Sequence, residues 1–127
     1  MIKTKSVQTR ANTIARLDKD IIRVARRKGI EMTLQDLQEI SVVYNQILIN
    51  QQGKFLIIVD DECDSEVGFI KKMAEVERSK VKKAGALIVN SLGKRLEANF
   101  YIRRYKPSHA VKVFSSEREG LDWLRAI

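Results

Sequence analysis

The sequence predicts an α/β fold, a mixed sheet of about five strands with about four helices around it, and three observations carry the prediction. The last third alternates: the apolar run Ala86-Leu87-Ile88-Val89-Asn90-Ser91 leads into Leu92 to Tyr105, then into Lys106-Pro107, Val111-Lys112-Val113-Phe114 and a segment bearing the tryptophan, which reads strand, helix, strand, helix. Lys54 to Val59 followed by Ser65 to Val81 repeats that alternation upstream. Parallel neighbours need a crossover, and helices are the usual crossovers. Near the N-terminus, Thr13 to Leu17 and Ile21 to Arg26 flank Asp18-Lys19-Asp20, the pattern of an antiparallel hairpin.

Each element has its own warrant. In the second hairpin run apolar and charged residues partly alternate (Ile22 and Val24 against Arg23), as on a sheet with one face buried and one wet. Gly29 ends it. Thr33 stands at an N-cap with Asp36 three residues on, and Leu34, Leu37, Ile40, Tyr44, Ile47 and Leu48 recur at helical spacing, so a helix runs from about Thr33 to Asn50. Phe55-Leu56-Ile57-Ile58-Val59 is apolar without alternation and suits a central strand buried on both faces. Val67, Ile70, Met73, Ala74 and Val81 mark the inner face of the next helix. Ser91 caps the one after it, and Ser116-Glu117-Arg118-Glu119 is a capping box ahead of Leu121, Trp123, Leu124 and Ile127.

A chain of 127 residues, 44% hydrophobic and 31% charged, is expected to be one globular domain over residues 1–127 whose core closes without disulfides or metal. No apolar run approaches the roughly 20 residues of a bilayer span, and Met1-Ile2-Lys3-Thr4-Lys5 lacks the apolar stretch of a secretory signal. A cytoplasmic protein is the expectation, in keeping with a lone cysteine, Cys63.

The net charge of +8 raises the question of an acidic partner. Arg10, Arg16, Lys19, Arg23, Arg26, Arg27 and Lys28 load the N-terminal quarter, but they are spread along strands with no tail and no interleaved aromatics, so nucleic-acid binding is disfavoured. Docking of the basic hairpin on an acidic partner or membrane surface is the weaker use of those charges.

Enzymatic signatures are absent, and the protein is expected to be non-enzymatic, with no cofactor and no metal. Cys63 lies between Glu62 and Asp64, whose charge disfavours a thiolate, and the one histidine, His109, is distant in sequence. Asp60 stands at a strand end, where ligands gather in open sheets, but Asp60 and Asp61 point to opposite sides if the strand continues, and the other strand ends offer neutral Asn90, Ser91 and Ser115. Gly93-Lys94 lacks the earlier glycine of a phosphate loop.

The candidate surface is the helix from Leu92 to Tyr105. Leu92, Leu96 and Phe100 fall on one side, and Ala98, Tyr101, Ile102 and Tyr105 on another, so it is apolar over much of its girth and one sheet face cannot shelter all of it. Phe100, Tyr101 and Tyr105 beside Arg103, Arg104 and Lys106 have the composition of interface centres, and Asn99 is taken with them as part of the surface. A lipid or other apolar ligand would need a pocket of at least roughly 300 Å³ beneath the helix, which a domain of this size can hardly spare. A protein partner, or a second copy in a homodimer, is the preferred reading; Phe100 and Tyr101 simply filling the core is the rival one.

Thr13-Ile14 through Asp20, Glu31-Met32-Thr33-Leu34, Ile58-Val59-Asp60, Ala86 to Ser91, Asn99-Phe100, Lys106-Pro107, Phe114 and Trp123-Leu124 together resemble the SpoIIAA-like branch of the STAS and CRAL-TRIO related domains, in particular small stand-alone members of unknown function. The resemblance covers nearly the whole chain and departs at His109-Ala110, where a second proline is common. It implies a hairpin-then-parallel sheet and two functional ideas, a protein-interaction switch and a pocket for an apolar ligand. In STAS regulators a serine after an aspartate accepts a phosphate, and Asp64-Ser65 matches that place. Asp60, Asp61, Glu62, Asp64 and Glu66 would crowd such a phosphate with like charge, so phosphorylation of Ser65 is disfavoured and Asp64 or Ser65 is expected to serve only as a helix cap.

Overall fold

The computed structural model describes residues 6–49, 51–59, 64–65, 71 and 82–127, the side chains of 64 and 65 excepted. Its elements in order are β1 (Ser6–Gln8), β2 (Asn12–Arg16), β3 (Ile21–Arg26), β4 (Glu31–Met32), α1 (Leu34–Ile47), β5 (Gly53–Val59), β6 (Asp64–Ser65), β7 (Lys82–Val89), α2 (Leu92–Tyr105), β8 (Ala110–Phe114) and α3 (Glu117–Ala126). Six strands form one sheet in the order β1-β2-β3-β5-β7-β8, and β4 pairs with β6 in a separate two-stranded piece.

The sheet is antiparallel through β1, β2 and β3 and parallel from β3 to β8. This is the expected hairpin followed by parallel strands, with one more strand in the main sheet than anticipated. Three helices stand among the described residues; of the fourth, expected over Ser65 to Val81, only Ser65, which ends strand β6, and Lys71, which is helical, are among them.

Because β3, β5, β7 and β8 succeed one another in a single direction, the right-handed rule for crossovers puts α1 and α2 on one face. α1 covers that face with Leu37, Ile40, Val43 and Tyr44 against Ile14, Ile22, Val24 and Phe55. The opposite face belongs to α3, whose Leu121, Trp123 and Leu124 meet Leu56, Ala84, Ala86 and Ile88. Strand β5 serves both: Phe55 and Ile57 lie in the first cluster, Leu56 and Ile58 in the second. Each fully enclosed side chain of this kind contributes about 1.5–3 kcal/mol relative to exposure.

The helix ends follow the local chemistry. Thr33 and Asp36 form a reciprocal capping box on α1, which ends at Ile47, three residues earlier than expected, with Leu48 as C-cap. Ser116 caps α3, its Oγ accepting from the Glu119 N–H at 3.3 Å. Strand β7 starts at Lys82, well before the apolar run that announced it. The buried Lys82 lays its ammonium 4.9 Å from the Phe55 ring and 5.5 Å from that of Tyr44, so a charged residue enters the sheet along aromatic surface.

Candidate interaction surface

α2 is built by its ends. Ser91 adopts extended backbone and its Oγ accepts from the Lys94 N–H at 3.1 Å, satisfying one of the free donors of the first turn. At the other end Lys106 takes the left-handed conformation, φ 44°, and donates its N–H to Ile102 at 3.1 Å. Pro107 follows, and the residue before a proline is steered out of the helical region.

The helix packs on β7 and β8. Its inner side carries Tyr101, buried at 6% exposure, with Ala98, Ile102 and Tyr105 half-buried beside it. The Tyr101 and Tyr105 rings stand 5.8 Å apart, and the Arg104 guanidinium lies 5.5 Å from the Tyr105 ring. The outer side is apolar too. Leu92 is 72% exposed, Leu96 58% and Phe100 54%, three large side chains at a spacing of four residues and hence in one row along the helix.

Asn99, Arg103 and Arg104 are exposed with that row. Tyr101 and Tyr105, expected to join that row, turn toward the sheet instead, because positions one and five residues beyond Phe100 are rotated about 100° and about 140° around the helix. Two cations of the first turn are engaged: Lys94 pairs with Glu97 at 3.5 Å, and Arg95 donates to Ser115 Oγ at 2.5 Å, tying α2 to the end of β8. The Lys94–Glu97 spacing is visible in the sequence; the Arg95–Ser115 contact joins residues 20 apart and has no local signal.

Of the strand-end polar residues, Asn90 is exposed, Ser91 is spent as a cap, and Ser115 is held by Arg95. Asp60 lies outside the described residues, as do Asp61, Glu62 and Cys63. The backbone of Ser65 is extended and paired with Met32 in the β4–β6 piece. Among the described residues no group of three or more His, Cys, Asp or Glu side chains is placed to hold a metal, and no helix is long and apolar enough to cross a membrane.

Four arginines of the N-terminal quarter are bonded within the chain. Arg10 Nε and Nη2 reach the Asp36 carboxylate at 2.9 and 2.5 Å, and Nη2 also donates to the Glu31 carbonyl at 2.6 Å. Arg23 binds Glu117 at 2.8 and 3.1 Å, Arg16 Nε donates to the Lys19 carbonyl at 3.1 Å, and Arg27 donates to the Arg10 carbonyl at 3.1 Å. The Arg10 hydrogen bonds hold the Asp36 carboxyl below its ordinary range, and those of Arg23 do the same for Glu117.

Comparison with solved structures agrees with this architecture. The chain is similar to an uncharacterised protein of the DUF3478 family, with a SpoIIAA-like fold, from Shewanella loihica PV-4. The two share 14% sequence identity and superpose with a TM-score of 0.63, over 96% of this chain and 92% of the other. The likeness shows a SpoIIAA-like fold. No curated protein matches the sequence. The model of a domain of unknown function, DUF7793, matches residues 15–127, and the chain belongs to that family.

Proposed function

We propose that the protein is a non-enzymatic, SpoIIAA-like interaction domain that binds a protein partner through the outer face of α2. One observation carries the reading: Leu92, Leu96 and Phe100 stand in a single exposed row on a helix whose other side already supplies Tyr101 to the interior. Isolated exposed apolar residues are ordinary on protein surfaces; a continuous row beside arginines has the make-up of a binding surface. The row is also anchored, since Ser91, the Arg95–Ser115 contact and buried Tyr101 hold the helix that carries it. A preformed surface loses little conformational freedom on binding.

Native mass spectrometry of gently purified protein from cells that make it naturally, compared with the double variant L96S/F100S, tests this. The expected result is a stoichiometric protein complex for the wild type and its loss in the variant, with the thermal midpoint unchanged. Identical spectra for both, or a copurified lipid retained by both, would overturn it.

A further inference from the structure

Resting on that reading, we infer that the occupant of the Leu92-Leu96-Phe100 row is an acidic amphipathic helix of another protein. A row at four-residue spacing is one of the ridges by which helices interlock, and from Leu92 to Phe100 it extends about 12 Å. Such a ridge fits the groove between side-chain rows of a second helix, at a crossing of about −50° or about +20° according to which of the partner's rows it meets.

The charge around the row selects the sign of the partner. Between Leu92 and Lys106 there are five cations, Lys94, Arg95, Arg103, Arg104 and Lys106, and one carboxylate, Glu97. Lys94 is paired with Glu97 and half-buried Arg95 is turned to Ser115 at the end of β8, so the fully exposed guanidiniums beside the row are Arg103 and Arg104, at its Phe100 end. Carboxylates on the partner there would face two guanidiniums across an interface rim, where complementary charge governs partner choice.

A second copy of the chain fits poorly. Laid parallel, two copies bring Arg103 and Arg104 onto one another; laid antiparallel, these arginines meet the partially positive N-terminus of the other helix, near Lys94 and Arg95. A lipid surface is the poorer match as well. Helices lying on membranes carry cations along a broad polar face, whereas here they gather at one end of a row of three side chains.

Two synthetic helical peptides with the same leucine row, one flanked by glutamates and one by lysines, test the inference on the full-length protein by fluorescence titration. The expected result is that the glutamate peptide binds at least about tenfold more tightly. R103E/R104E should reverse the preference, and Phe100→Asp should remove binding of both. Binding that needs Phe100 but ignores flank charge would overturn the acidic partner while leaving the row as an interface. Binding of neither peptide, or binding indifferent to Phe100→Asp, would remove both. Two further controls count against the inference if positive: sedimentation of vesicles of phosphatidylglycerol that depends on Phe100, and concentration-dependent dimerisation abolished by Leu96→Ser.

Discussion

Arg10 grips Asp36 with two donors, Nε to one carboxylate oxygen at 2.9 Å and Nη2 to the other at 2.5 Å, and Asp36 is 2% exposed. The same carboxylate accepts from the Thr33 N–H at 2.8 Å and the Thr33 hydroxyl at 2.9 Å. One side chain thus closes the cap of α1 and fastens the segment between β1 and β2 to the start of that helix.

The pH dependence of stability follows. Hydrogen bonding to Arg10 first, then to Thr33, holds the Asp36 carboxyl below its ordinary value of 3.8. A depressed carboxyl contributes stability that is fully present above the unfolded value and is lost as pH falls through the folded one. Unfolding midpoints should therefore drop steeply below about pH 4, and Asp36→Asn should flatten that acid limb while lowering stability at neutral pH. Asp36→Ala should cost about 2–3 kcal/mol, since it removes the carboxylate half of the capping box and leaves Arg10 without its partner, although the Thr33 cap itself remains. Urea titrations across pH check both.

On α2 the two sides should answer substitution differently. Leu96→Ser and Phe100→Ser are expected to stay within about 0.5 kcal/mol of wild type, because those side chains are already in water. Tyr101→Ala, one position from Phe100, should cost about 3 kcal/mol by emptying the space between helix and sheet. Chemical denaturation reads the difference, and equal costs at positions 100 and 101 would contradict the geometry.

Gly120 sets how closely α3 approaches the sheet. A Cβ there would stand 2.6 Å from Ile88 Cδ1, 3.0 Å from Leu56 Cδ1 and 3.3 Å from Ala86 Cβ. The first two are the ends of side chains that can shift, and alanine favours helix by about 1 kcal/mol, so Gly120→Ala should be close to neutral. Gly120→Leu cannot be accommodated this way and should destabilise by about 3 kcal/mol or more in thermal unfolding.

The ends of α2 give a fourth check. Ser91→Ala should cost about 1 kcal/mol and Ser91→Asp should not, since aspartate also caps. Lys106→Gly should raise stability, because glycine accepts the positive φ without a Cβ penalty. Melting curves of the three variants decide.

Much of the fold was readable because its signals are local. The Thr33-Asp36 box, the Ser91 and Ser116 caps and the unbroken Phe55 to Val59 run each announce themselves within a few residues. What escaped depends on pairing at a distance. Strand β1 is three exposed residues without periodicity and exists through its register with Thr13 to Ala15. The β4–β6 piece is two residues on each side, and Lys82-Lys83 carries no strand signal of its own, entering β7 beside the neighbouring strand and the Tyr44 and Phe55 rings. At the candidate surface, helical spacing puts Leu92, Leu96 and Phe100 on one side and Tyr101 and Tyr105 on another, yet the expected surface joined the two sides. Spacing alone does not say which side faces the sheet, which depends on where β7 and β8 lie.

Photo-crosslinking in cells that make the protein naturally asks whether the outer face of α2 meets a protein partner. A benzophenone side chain replaces Leu96 in one sample and, as a control, Val42, an equally exposed apolar residue of α1 (58% and 56%). A single protein adduct is expected at position 96, competed away by unmodified wild-type protein, and none at 42. Adducts of equal yield at both positions, or none at 96, would contradict it.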